Sequence, residues 1–135
     1  MNINKILLIM DMENGDCTKL IGKILDVVNN FKASLDVLVV LESVKKVEDI
    51  ATSFGMPFDP YMKENSIKQA TYKLKHLFPK DMNVNFHVKV GDFDEEAQTV
   101  YKEVNPDMIL LACNNFNKDI SKFSKSTGKP ILLIN

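Results

Sequence analysis

The chain has 135 residues, 45% of them hydrophobic and 26% charged, with 17 basic against 18 acidic residues and a formal charge of −1. That is one domain's worth of ordinary globular protein, able to bury about two-thirds of its unfolded surface without staples. The balanced charge advertises neither nucleic acid nor an anionic membrane, so no partner of either kind is expected.

The longest apolar runs, Ile6 to Met10 and Met108 to Cys113, fall far short of the ~20 residues that span a bilayer, and the chain reads as cytoplasmic. Two cysteines, Cys17 and Cys113, form neither a disulfide framework nor a zinc motif. Cys17 reads as a plain buried or half-buried cysteine, with a thiol made more acidic by its place in a helix's first turn as the other reading. The five glycines (Gly15, Gly22, Gly55, Gly91, Gly128) are never closer than seven positions, which excludes both the dinucleotide loop and the P-loop.

The run Lys5 to Met10 predicts a strand buried on both faces. Asn14, Gly15 and Asp16 supply a turn and a cap for a helix whose apolar positions are Leu20, Ile24, Val27, Val28 and Phe31. Asp36 to Leu41 is a second strand. A stretch of more than twenty residues follows, Glu42 to Asn65, longer than usual loops. Val44, Val47, Ile50, Ala51 and Phe54 keep helical spacing within it, and Met56, Phe58, Tyr61 and Met62 add apolar bulk. The spacing predicts an extra helix packed on the core, with a lid or a partner surface as the other reading.

A helix from Ser66 to Phe78 comes next, with His76 on its surface. Val84, Phe86, Val88 and Val90 then alternate with Asn85, His87 and Lys89, the period-two pattern of a strand with one wet face. Gly91-Asp92 opens a helix with Asp94, Glu95 and Glu96 in its first turn, where negative charge suits the dipole. Its buried stripe is Phe93, Ala97, Val100, Tyr101 and Val104. Met108 to Ala112 is a fourth strand, a short helix around Ile120 and Phe123 ends at Gly128, and Ile131 to Ile134 is the fifth.

Strands alternating with helices predict a single α/β domain over residues 1–135: a three-layer, Rossmann-like sandwich around a five-stranded parallel sheet. The third strand alternates and belongs at an edge, which selects the order 3-2-1-4-5. Ligands in such sheets bind beyond the carboxyl ends of the strands, where the order reverses. Asp11-Met12-Glu13 and Ala112-Cys113-Asn114-Asn115 line that crevice.

Asp11 and Glu13 together with Asp92 and Asp94 loosely resemble the haloacid-dehalogenase-like phosphatases. That resemblance implies, as the alternative function, a magnesium-dependent phosphatase with Asp11 as nucleophile. Glu13 stands where that family has its second Asp, and Asp92 and Asp94 have a sufficient role as helix caps.

From Lys5 to Ile134 the chain resembles the universal stress proteins. The resemblance is carried by Ile6 to Asp11, Val37 to Glu42, Val90-Gly91-Asp92, Pro106 to Cys113 and Pro130 to Ile134, in that order and spacing. It implies a UspA-like domain of the adenine nucleotide alpha hydrolase-like fold. The function it implies is non-enzymatic regulation or binding in a stress response.

Nucleotide-binding members of that family hold phosphates with three spaced glycines after the fourth strand. Here Ala112, Asn115 and Asn117-Lys118 stand at those positions, while Asp11 and Leu41 match pocket residues. The resemblance therefore implies a degenerate pocket with no catalytic or metal-binding residue, formed by Asp11, Met12, Leu41, Ala112, Cys113 and Asn115. Its ligand would be weakly held ATP or AMP, if any cofactor at all, because side chains restrict the positive φ that lets N–H groups converge on phosphate. The uncharged last strand, Ile131 to Ile134, leaves an edge that predicts a homodimer, a pairing common among universal stress proteins. A protein partner is also expected.

Overall fold

In the computed structural model, which describes residues 2–13, 17–112 and 120–134, the strands are β1 (Lys5–Met10), β2 (Ser34–Leu41), β3 (Val84–Val90), β4 (Met108–Ala112) and β5 (Ile131–Ile134). The helices are α1 (Ile21–Phe31), α2 (Glu42–Ser53), α3 (Pro60–Leu77), α4 (Phe93–Val104) and α5 (Ile120–Thr127). The sheet is parallel throughout and ordered β3-β2-β1-β4-β5, as expected.

The alternation of side chains divides the core into two layers. Ile6, Leu8, Met10, Val37, Val39 and Leu110 face α1 and α3, which contribute Ile21, Ile24, Val28 and Leu74. Leu7, Ile9, Leu38, Ile109 and Leu111 face the other way, against Phe93, Ala97, Val100 and Val104 of α4 and Phe123 beside them. All of β1 beyond Lys5 is buried, because it is the middle strand. Asp107 locks the entrance of β4 beside β1: its Oδ2 accepts the N–H groups of Asn4 and Lys5 at 2.9 and 3.0 Å. Its own N–H donates to the Lys5 carbonyl. These two backbone donors, Asn4 first, hold the Asp107 carboxyl below the ordinary carboxylate range.

Several elements differ from the sequence expectation. β2 begins at Ser34, two residues early, and α3 begins at Pro60, with Asp59 accepting the Tyr61 N–H as its cap. The first helix is preceded by a 3₁₀ turn, Thr18–Leu20, and the expected cap at 14–16 lies outside the described residues. The extra helix exists as α2, yet Val44 is its one buried residue. Val47, Ile50 and Phe54 stand exposed beside Met56, Tyr61 and Met62, so the segment forms an apolar surface rather than another core layer.

His87 is not a free surface residue either. Its Nε2 lies 2.8 Å from the Asp36 carboxylate across β2 and β3, and Asp36 is buried. Cys17, expected as a thiol, is instead disulfide-bonded and buried; its sulfur lies 3.3 Å from the Asp11 carbonyl oxygen.

Candidate functional site

The carboxyl ends of β1, β2 and β3 open into the first turns of the elements that follow, and carboxylates tie these exits together. β1 ends in an Asx turn in which Asp11 Oδ1 accepts the N–H of Glu13 at 2.9 Å. That turn aims Glu13 at the start of α2. Leu41, the residue before α2, has no side-chain acceptor to offer its helix, so the first N–H groups must find one elsewhere. Glu13 supplies it: Oε1 accepts the Glu42 N–H at 2.8 Å, and Oε2 accepts from the N–H and the hydroxyl of Ser43.

The same device repeats one strand further on. Asp92 precedes α4 but makes no side-chain cap, and Glu42 Oε1 accepts the Phe93 N–H at 2.8 Å instead. Two helix N-termini, each a natural anion site, are thus already occupied by carboxylates of this chain. The relay Glu13–α2–Glu42–α4 was not legible in the sequence, since its partners are about thirty and fifty residues apart. Its one local signal is the lack of a side-chain cap for α2, which Leu41 cannot provide.

The residues expected in the crevice are distributed unevenly. Asp11 lies at the β1 exit, Leu41 at the β2 exit and Ala112 at the β4 exit, paired with Met10 of β1. Leu41 and Ala112 are buried in the layer facing α1 and α3. Met12 packs on that same layer and lines a cavity against α3. Cys113 and Asn115 lie outside the described residues, as do Asn117 and Lys118. Among the described residues, no three His, Cys, Asp or Glu side chains are placed to hold a metal ion. No described helix is long and apolar enough to cross a membrane.

This architecture is that of the doubly wound α/β proteins, with the strand order reversing between β1 and β4. No protein-family model matches the chain. Among curated proteins, a universal stress protein of Aquifex aeolicus (strain VF5) is 28% identical over 113 residues, covering 81% of this chain and 84% of the relative. A hypothetical protein solved as a test case of structural genomics shares the fold with a TM-score of 0.63 at 18% identity, over 98% of this chain and 96% of the other. A universal stress protein in complex with cAMP superposes with a TM-score of 0.53 at 9% identity, covering 98% of both chains. The chain is thus similar in sequence to a universal stress protein over most of its length and shares its fold with solved proteins that include one.

Proposed function

We propose that this protein is a non-enzymatic universal stress protein whose degenerate pocket binds ATP or AMP weakly at most. The pocket is that formed by Asp11, Met12, Leu41, Ala112, Cys113 and Asn115. The observation that carries the reading is the pair of occupied helix N-termini. A triphosphate entering beside β1 and β2 meets the carboxylates of Asp11, Glu13 and Glu42 where a phosphate-binding site offers unpaired N–H groups. The absent glycines after β4 act in the same direction. The cAMP held by one structural relative supports a nucleotide monophosphate over a triphosphate as the better fit, because it carries less charge into an acidic mouth.

The acting unit is a homodimer joined through β5. Leu132 and Leu133 are 40% and 51% exposed on opposite faces of the outermost strand, where a second copy would cover both and satisfy the open backbone. The exposed apolar face of α2 and the start of α3 is the surface offered to a protein partner, and the cytoplasm is the place of action.

Calorimetry tests the ligand reading. Wild-type protein binds magnesium-ATP with an affinity well short of micromolar, and Glu13→Gln, which removes one of the opposing charges, tightens it. Micromolar ATP binding by the wild type would overturn the proposal. So would hydrolysis of p-nitrophenyl phosphate with magnesium that is lost in Asp11→Asn, which would make the chain a phosphatase.

A further inference from the structure

A cavity lies beside the exit of β1, between the start of the first helical segment and the end of α3. Its volume is about 460 Å³, within the range of small-molecule sites, and Met12, Cys17, Thr18, Tyr72, His76 and Leu77 line it, with Lys73 beside them. The walls are apolar: a thioether, an isobutyl group, a buried sulfur and the ring of Tyr72. The Tyr72 and His76 rings are tilted by 40° with centroids 4.2 Å apart, forming a continuous aromatic wall.

The polar groups are few and of defined character. His76 Nδ1 sits 2.8 Å from the Tyr72 carbonyl, an acceptor, so Nδ1 must carry the proton. The ring is thereby held against Tyr72. Among the described residues, no carboxylate forms an ion pair with Lys73. Among the described lining residues, an apolar wall stands beside one ammonium, that of Lys73, and this pattern matches a ligand with an apolar chain and an anionic head. A phosphate dianion would call for a cluster of cations or N–H groups, and a neutral hydrocarbon would leave Lys73 unused.

We propose that this cavity binds a medium-chain fatty acid or similar apolar monocarboxylate. The chain lies between Met12, Leu77 and the Tyr72–His76 wall, and the carboxylate pairs with Lys73. The site adjoins the proposed nucleotide pocket: Met12 belongs to both, and the Cys17 sulfur lies 3.3 Å from the Asp11 carbonyl oxygen.

Decanoate and decanol are suitable probes. Titration calorimetry should show saturable one-to-one binding of decanoate. In methyl-labelled protein, the signals of Met12, Thr18 and Leu77 should shift while those of Leu41 and Ala112 stay fixed. Lys73→Glu, an exposed substitution that leaves the core intact, should weaken decanoate about tenfold and leave decanol within about twofold. Thr18→Trp should fill the cavity and abolish binding of both, with circular dichroism confirming the fold. Absence of saturable decanoate binding at millimolar concentration would overturn the proposal. Equal binding by Lys73→Glu, or shifts confined to Leu41 and Ala112, would do the same.

Discussion

The pairing of Asp36 with His87 makes a quantitative prediction about stability. Asp36 is 7% exposed and sits in β2 in register with Leu7 on one side and Asn85 on the other. Its carboxylate meets His87 Nε2 at 2.8 Å, and the imidazole shields it from solvent at the β3 edge. His87→Ala removes that partner and leaves a mostly buried carboxylate without it. Stranding a buried polar group costs about 1–3 kcal/mol, and up to about 5 for a fully enclosed ion pair.

The His87 side chain is 21% exposed at an edge strand, so water can reach the gap and the loss should be about 2 kcal/mol. In a domain of this size that is a fall in Tm of about 5–10 °C. Asp36→Val should be milder, because it strands only a partly exposed imidazole and adds a β-branched residue to a strand. Urea denaturation of both single variants and of the double variant provides the test. The expected signature is an unequal pair of losses, with the double variant recovering most of the larger one. His87→Ala within about 0.5 kcal/mol of wild type, or Asp36→Val the worse of the two, would refute the reasoning.

Four further outcomes are expected. Asp107→Asn should lower stability at neutral pH, because the native carboxyl lies below its unfolded value and its stabilisation is present only above that value. The gap to wild type should close in thermal melts as the pH falls below the ordinary carboxylate range and through the native pKa. Gly128 has φ of +63° and no atom within 4 Å of the place a Cβ would take, so Gly128→Ala should cost about 1 kcal/mol through backbone strain alone. Gly22 in α1 has the same open space and no such φ, so Gly22→Ala should gain about 0.5–1 kcal/mol in the same denaturation assay. Leu132→Lys should convert the proposed dimer to monomer in light scattering, and a wild type already monomeric at high concentration would remove the proposed β5 interface.

The fold was legible because its signals are local. A strand covered on both sides must be apolar along its length, as Ile6 to Met10 and Met108 to Ala112 are, and an edge strand need not be, as Asn85, His87 and Lys89 attest. Those patterns sufficed for the strand order and for placing Asp11 and Ala112 at the exits of the adjacent strands β1 and β4.

What the chain order could not convey is which distant groups meet. Glu13 reaching the N-terminus of α2, Glu42 reaching α4, and Asp36 meeting His87 join residues 29 to 51 positions apart. No periodicity encodes such pairs, because each depends on where two separately formed elements come to rest. The face of α2 makes the same point from the apolar side. Helical spacing in Val44, Val47, Ile50 and Phe54 predicts a buried stripe, but only Val44 reaches the core. Spacing determines which residues share a face; whether anything packs against that face is decided by the tertiary arrangement, since burial requires a neighbour and a neighbour is not a property of the segment.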